Sequence, residues 1–231
     1  MPARERLELS ALAAEVADCR ACPRLVAWRE AQAAPPPKRY RDERYWARPV
    51  PGFGDPAARI VVVGLAPAAH GANRTGRMFT GDRSGDWLYG AMHRAGLASQ
   101  PHSVGRGDGL TLNGAYVTAV VRCAPPANKP ATDERDRCLP FLGRELEYLT
   151  EARVLLCLGG FAWDGALRSL AALGHAVPRP RPRFGHEAQA EVGAYSLLGS
   201  YHPSQQNTFT GRLTREMLDS AFATAIRLSR R

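Results

Sequence analysis

Four of the five cysteines in this 231-residue chain have a spacing that indicates metal chemistry. Cys19 and Cys22 are separated by two residues, and Cys123 and Cys138 form a second pair with fourteen residues between them. A Cys-x2-Cys pair places two thiolates on one metal ion or cluster, and a second pair completes a four-sulfur site. The cysteines therefore predict one four-thiolate site. The spacing alone leaves zinc and iron-sulfur ligation open, and four unrelated thiols are the structural alternative.

The fifth cysteine, Cys157, lies in the apolar run VLLCLGG. A thiol in such a run packs as a small hydrophobic side chain, so we predict it in the core. We expect the protein in the cytoplasm, because its first residues contain no apolar run long enough for a secretory signal. Disulfides are rare in that reducing compartment, which favours metal ligation for the other four cysteines.

The composition limits the size of the fold and the class of partner. A chain of 231 residues with 45% hydrophobic residues fits one globular domain. Its net charge of +9 favours a polyanionic partner such as nucleic acid, although a basic, soluble surface explains the charge equally well. No segment approaches the roughly 20 apolar residues of a membrane span, so we expect no membrane partner.

Short apolar runs predict buried strands, and amphipathic stretches between them predict helices. The strands are expected at residues 60–65, 116–121, 154–158 and around 196–198. The helices are expected at residues 7–19, 87–95, 132–149, 160–173 and 214–228. Strands that alternate with helices indicate an α/β protein, with helices on both faces of a parallel sheet. The segment 31–54, rich in proline and charge, should be irregular and held down by Tyr45 and Trp46.

Three loops follow predicted strands, at the edge where the ligand crevice of a parallel sheet lies. They read GLAPAAHGANRTGRMFTGD at 64–82, RCAPPANKPATDERDRC at 122–138 and SYHPSQQNTFTGRLT at 200–214. The glycines and the proline that begin the first loop let its backbone approach a planar ligand closely. The loop lacks the G-x-G-x-x-G pattern of dinucleotide sites and the P-loop lysine, which excludes those two motifs.

These loops and the cysteine pairs together resemble the iron-sulfur branch of the uracil-DNA glycosylase superfamily, most closely family 5. The matching segments occur in the family's order over almost the whole chain: Cys19-x2-Cys22, 64–82, VRCAPPANKP at 121–130, Cys138 and 200–214. The resemblance implies a single-domain three-layer α/β/α fold over residues 1–231, with a central four-stranded parallel sheet. It also implies a structural [4Fe-4S] cluster on Cys19, Cys22, Cys123 and Cys138.

By that resemblance, we expect a monomeric enzyme that removes uracil and related bases from double-stranded DNA and leaves an abasic site. Such an enzyme must first extrude the nucleotide from the helix. Phe79 should stack on the extruded pyrimidine, with ordinary core packing as the alternative for this ring. The backbone expected to lie against the base comprises Gly64, Leu65, Ala66, Pro67, Ala68 and Ala69.

Cleavage of the N-glycosidic bond leaves negative charge on the departing base, so a hydrogen-bond donor is needed near the base carbonyl. The resemblance places His202 in that role, although a lone histidine is often structural. Related uracil-specific families position water with an acid or an asparagine in the first loop, but residues 65–69 are all apolar here. Asn128 is the family-5 candidate for orienting water or the sugar, and Asp82 is a weaker one. An asparagine beside prolines also fits a turn.

Ala119 occupies the place where the stricter uracil-specific iron-sulfur family has an asparagine that reads the pyrimidine edge. A pocket without that amide leaves no polar group unpaired when another base enters, so discrimination should weaken. The resemblance therefore predicts tolerance for hydroxymethyluracil, ethenocytosine and hypoxanthine in addition to uracil.

The segment 204–212 should enter the minor groove of DNA and fill the gap left by the extruded nucleotide. Arg74, Arg212 and Arg215 are expected at phosphates, although a solvated charged surface explains any one of them equally well. The residues of the segment expected at the DNA are Ser204, Gln205, Gln206 and Asn207.

Two other classes of protein remain open at this point. The absence of an acid in the first loop also fits a catalytically inactive DNA-damage-binding protein of the same fold. The four thiolates also fit a zinc-dependent enzyme with a structural zinc site.

Overall fold

A six-stranded mixed sheet forms the centre of the computed structural model, which describes residues 3–231. The strands are β1 (Phe53–Gly54), β2 (Ile60–Gly64), β3 (Ala115–Ala119), β4 (Val154–Leu158), β5 (Gln189–Val192) and β6 (Tyr195–Ser200). Their order across the sheet is β1-β3-β2-β4-β6-β5. The inner strands β3, β2, β4 and β6 are parallel, and the two edge strands are antiparallel to their neighbours.

The inner strands confirm the four predicted apolar runs, but the expected count of four strands is too low. β1 has only two residues, and three of the four residues of β5 (QAEV) are partly or fully exposed. Edge strands are half solvated and need no continuous apolar run, so neither edge strand has the pattern of a buried strand. β3 ends at Ala119, two residues earlier than predicted, although the amides of Val120 and Val121 still donate to the carbonyls of Gly64 and Leu65 (3.0 Å each).

Helices cover both faces of the sheet, which confirms the three-layer arrangement. The side chain of Val62 packs on the face covered by α4 and α8, whereas Val61 and Val63 pack on the face covered by α1, α5 and α6. None of the helices among residues 3–231 is long and apolar enough to cross a membrane. The helices are α1 (Ala3–Asp18), α2 (Pro23–Ala31), α3 (Ala72–Thr75), α4 (Arg83–Arg94), α5 (Thr132–Tyr148), α6 (Gly160–Ala172), α7 (Gln205–Phe209) and α8 (Arg215–Ser229).

The five predicted helices are present, and α2, α3 and α7 are additional short ones. The segment 31–54 is largely irregular, as predicted, apart from a 3-10 turn at Lys38–Tyr40 and the short β1. Tyr45 is buried and its hydroxyl is 3.1 Å from His70 Nδ1. Trp46 packs against the core and its indole N–H donates to the Pro49 carbonyl at 3.0 Å. Both aromatic residues therefore hold this segment against the first loop, as predicted.

Candidate active site

A cleft of about 530 Å³ lies beyond the carboxyl ends of the parallel strands. The loops after β2, β3 and β6 all contribute to its wall, so the cleft lies where the sequence predicts the ligand site. Its lining residues are Leu65, Ala66, Pro67, Ala68, Met78, Phe79, Asp82, Arg83, Ser84, Asn128, His202, Ser204, Gln205 and Gln206.

Phe79 is held in a strained backbone conformation against the end of β2. Its φ is +52°, a value that residues other than glycine rarely adopt and that often occurs at functional sites. Its ring lies so close to Gly64 that a Cβ there would be 2.7 Å from two ring carbons. Its carbonyl oxygen lies against Gly85, where a Cβ would also collide. Glycine at both positions therefore allows the ring to reach the cleft.

His202 follows β6 and faces Phe79. The two ring centroids are 5.7 Å apart and the ring planes are tilted by 32°. Burial lowers the pKa of His202 to about 4, so the imidazole is neutral at pH 7 and has one N–H to donate. The His202 carbonyl accepts a hydrogen bond from Asn207 Nδ2 at 2.9 Å. An aromatic ring and a neutral donor thus lie next to each other in the wall of the cleft.

Asp82 lines the cleft and also caps α4. Its carboxylate accepts the Gly85 amide at 3.0 Å and lies against Gly71, where any side chain would collide with it. Burial raises the pKa of Asp82 above its usual value. Asp82 therefore has a structural role at the helix N-terminus and an oxygen close to the cleft.

Asn128 lies at the mouth of the cleft, at the end of the 3-10 turn Pro126–Asn128. Asn128 and Ala127 both have positive φ values, of +56° and +51°. Two consecutive non-glycine residues in this conformation make a strained turn. The alternative of a turn residue is therefore correct for the backbone of Asn128, while its exposed side chain remains available at the cleft.

Three predicted pocket residues, Gly64, Ala69 and Ala119, do not line this cleft. Ala119 is 1% exposed at the end of β3, paired in register with Gly64. Ala69 faces an adjoining basin of about 690 Å³, which also borders Asn128 and Gln205. The pocket wall therefore comes from residues 65–68 and from the ring of Phe79.

The predicted DNA-binding residues occupy different environments. Ser204 caps α7 by accepting the Asn207 amide at 3.3 Å, and Gln205 and Gln206 are exposed on the wall of the cleft. The Asn207 side chain is directed inward to the His202 carbonyl. Arg212 is exposed and its guanidinium lies 4.7 Å from the Tyr201 ring.

Arg74 differs from the other predicted DNA contacts, because its guanidinium is largely enclosed. It donates to the carbonyls of His70 (2.8 Å) and Gly81 (3.0 Å), forms an ion pair with Glu43, and lies 4.1 Å from the Tyr40 ring. These contacts attach the first loop to the segment 31–54.

Sequence reasoning missed Met78, Arg83 and Ser84 at the cleft and Phe209 beside it. Phe209 is 62% exposed, and the Arg83 guanidinium lies 4.3 Å from the centre of its ring. Arg83 and Ser84 directly follow the first loop, so extending the motif by two residues would have found them. No periodic signal distinguishes Phe209 from a core residue.

The structure brings together the four cysteines of the predicted metal site. Cys19 follows α1, Cys22 is the N-cap of α2, Cys123 follows β3 and Cys138 lies in α5. All four border one small cavity, which we call the cysteine site. Among residues 3–231, no three His, Cys, Asp or Glu side chains come together as a site for a single metal ion. Cys157 is fully buried in β4, as predicted.

Two sulfurs of the cysteine site accept hydrogen bonds. Arg29, which is 1% exposed, donates from Nη1 to Cys123 Sγ at 3.0 Å. The amide of Arg122 donates to Cys138 Sγ at 3.3 Å. Burial raises the thiol pKa of Cys123 to about 11 and that of Cys138 to about 12.

A sequence model described as the uracil DNA glycosylase superfamily matches residues 51–225, so the chain belongs to that superfamily. The type-5 uracil-DNA glycosylase of Mycobacterium bovis is 55% identical over 96% of this chain and 81% of its own length. The type-5 enzyme of Thermus thermophilus is 52% identical over 91% of this chain and 94% of its own. The type-5 enzyme of Pyrobaculum aerophilum is 45% identical over 87% of this chain and 84% of its own length. Within the superfamily, the chain is therefore a member of the type-5 family.

Proposed function

We propose that this protein hydrolyses the N-glycosidic bond of uracil and of related damaged bases in double-stranded DNA, after base flipping, and leaves an abasic site. Membership of the type-5 family makes it a uracil-DNA glycosylase, and hence a hydrolase that acts on DNA. The observation that supports this proposal best is the pair of facing rings, Phe79 and the neutral His202, 5.7 Å apart in a cleft at the carboxyl ends of the strands.

In the proposed mechanism, the extruded base enters the cleft edge-first and stacks on Phe79, while the backbone of residues 65–68 borders it. His202 donates its N–H to the base carbonyl next to the breaking bond and so stabilises the negative charge that develops there. A donor that stays neutral at pH 7 suits this task, because no proton has to be lost before it acts. Hydrogen bonding by Asn128, with Asp82 close by, orients the attacking water or the sugar.

The proposed range of bases covers hydroxymethyluracil, ethenocytosine and hypoxanthine besides uracil. The wall formed by Leu65, Ala66, Pro67 and Met78 is apolar, and Ala119 supplies no amide. An apolar wall rejects a differently substituted base only weakly, because that part of the pocket has no polar group that the wrong base would leave unpaired. We also propose that the chain acts as a single domain and a monomer, in the cytoplasm beside DNA.

We infer that the cysteine site holds a structural [4Fe-4S] cluster, and a buried cation supports an anionic occupant. The Nε of Arg29 is buried without a hydrogen-bond partner in the described chain. Within 4.0 Å of its guanidinium lies one carboxylate, that of Glu30, which is half-exposed and bonded to Arg20. A buried charge without a close counter-charge is strongly destabilising, so Arg29 fits a site where thiolates carry negative charge.

The donor set also fits a cluster, because each of four irons takes one thiolate. A single zinc ion would instead need all four sulfurs at about 2.3 Å from one point. When bound, the cluster cross-links the segments that contain Cys19, Cys22, Cys123 and Cys138. Absorbance at about 400 nm from the purified protein would support a cluster, whereas a colourless protein containing zinc would contradict it.

The test of the function uses a duplex oligonucleotide with one uracil opposite guanine. Strand breaks after alkali treatment report abasic sites. We expect strand breaks with the wild-type protein. The His202→Ala and Asn128→Ala variants should release the base much more slowly. Parallel duplexes with hydroxymethyluracil, ethenocytosine and hypoxanthine test the range. Binding without strand breaks would favour the inactive DNA-damage-binding protein, and full activity of both variants would refute the assigned roles.

A further inference from the structure

The loop of residues 103–109 has a construction that the cleft does not explain. It reads SVGRGDG, and Gly107 and Gly109 have φ values of +85° and +86°. A Cβ at Gly105 or Gly107 would meet no atom within 4 Å. The loop is therefore open to solvent on that side, and glycine serves its backbone shape there rather than its packing.

A buried ion pair nevertheless fixes this loop. Both terminal nitrogens of the Arg77 guanidinium donate to the Asp108 carboxylate, Nη1 to Oδ1 at 2.9 Å and Nη2 to Oδ2. The two side chains are only 5% and 8% exposed. The same carboxylate accepts the amides of Val104 (2.9 Å) and Leu110 (3.0 Å). These bonds and the surrounding backbone amides hold the pKa of Asp108 far below its usual value. The loop is thus organised around one carboxylate that remains charged.

Arg77 also connects the loop to the backbone that presents Phe79. Its Nε donates to Thr80 Oγ1 at 3.1 Å and its Nη2 donates to Ser103 Oγ at 2.6 Å. The Gly81 amide donates to the Ser103 carbonyl at 3.2 Å. Hydrogen bonds therefore connect the loop directly to the residues on both sides of the stacking ring.

The outer side of this rigid loop presents an apolar side chain and a cation. Val104 is 67% exposed and borders the 690 Å³ basin that adjoins the cleft and also contains Arg39 and Arg83. Arg106 is exposed as well, and its guanidinium lies 4.5 Å from the Trp46 ring. A single exposed valine needs no explanation on an ordinary surface. Here, however, a buried ion pair fixes the loop that carries Val104, and Val104 borders the basin beside the cleft together with Arg39 and Arg83.

We propose that the 103–109 loop is a second DNA-contacting element, distinct from the 204–212 segment, in which Val104 packs against a base step beside the flipped nucleotide. Arg106 lies at the backbone phosphates. Apolar side chains that enter the minor groove in this way help to open base steps, and a preorganised loop loses little entropy on binding. The positive charge of Arg39, Arg83 and Arg106 matches a polyanionic duplex. This inference rests on the proposed action on duplex DNA.

The test compares Val104→Ser with Leu7→Ser, since Leu7 on α1 is also a strongly exposed aliphatic side chain (69%). A duplex with 2-aminopurine beside uracil reports flipping by fluorescence, and single-turnover base release reports the reaction. We expect Val104→Ser to lose about tenfold in both, because burying a valine contributes roughly one factor of ten. Arg106→Gln should reduce the slope of log affinity against log salt by about 1.

A Val104→Ser variant within twofold of Leu7→Ser in flipping and release would overturn the inference. Fluorescence anisotropy on the uracil duplex separates this failure from a failure of the proposed function. If the wild type binds duplex but releases no base, the glycosylase mechanism fails, and weaker duplex binding by Val104→Ser would still support the loop contact. Equal binding by both serine variants in that case would refute it.

Discussion

His202 should remain uncharged down to unusually acidic pH, and its titration tests the proposed site directly. Burial lowers the pKa of its imidazole from the ordinary 6.5 to about 4. Within the described chain, no carboxylate hydrogen-bonds the ring, and the neighbouring Phe79 ring offers no counter-charge. We therefore expect that titration of His202 does not change kcat/KM between about pH 6 and 8. Base release should fall only as the pH approaches 4.

The same shift makes a prediction about stability. The unfolded chain binds this proton near its ordinary pKa of 6.5, whereas the folded chain binds it only near 4. The contribution to folding is therefore fully present above pH 6.5 and is lost as the pH falls through 4. At roughly 1.4 kcal/mol per pKa unit, the loss is at most ~3 kcal/mol. Because His202 as a residue is partly exposed, we expect solvent screening to leave ~1–2 kcal/mol of this loss.

The assay measures urea unfolding of the wild type and of His202→Gln at pH 7 and at pH 4. On acidification, the variant should lose less free energy of unfolding than the wild type by that ~1–2 kcal/mol. An NMR titration of the ring, assigned by the missing signal in the variant, gives the pKa itself. A His202 pKa near 6.5, or an acid limb of the rate that survives His202→Gln, would refute the reasoning.

Three further substitutions test other parts of the molecule. Gly64→Ala should reduce the single-turnover rate of base release about a hundredfold, because the new Cβ would be 2.7 Å from the Phe79 ring and displace it. Arg29→Met should lower the iron content per purified chain more than Arg94→Met, because Arg29 is buried beside Cys123 while Arg94 is half-exposed and paired with Asp219 on α8. Glu145→Gln should lower the free energy of unfolding by about 3–5 kcal/mol, because it leaves a fully buried arginine unpaired.

Each of these predictions has its own check. Gly64→Ala should keep the far-UV circular dichroism and iron content of the wild type, and an unchanged rate would show that the ring tolerates the methyl group. Equal iron loss in the two arginine variants would show that Arg29 has no specific role in holding the cluster at the cysteine site. Glu8→Gln breaks the exposed Arg4–Glu8 pair and should cost less than about 1 kcal/mol; a comparable loss in Glu145→Gln would mean that its burial is unimportant.

The inner sheet and most of the cleft were predictable from the sequence. Strands buried on both faces need unbroken apolar runs, so the four parallel strands appear directly as such runs. The loops that follow them must meet at one edge, so Phe79, His202 and Asn128 could be placed together before the fold was known. The spacing of the cysteines likewise predicted one shared site, and all four border one cavity.

The remaining features depend on contacts between residues far apart in the chain, which no local pattern records. The edge strands β1 and β5 form because a neighbouring strand offers free hydrogen-bonding groups, not because their own residues are apolar. The Arg77–Asp108 pair spans 31 residues and the Arg29–Cys123 contact spans 94. The sequence around an arginine does not distinguish a solvated side chain from an enclosed one such as that of Arg74. The sequence by itself thus determined which loops surround the cleft, while the tertiary structure alone decided which of their residues line it, which charges are buried and which face solvent.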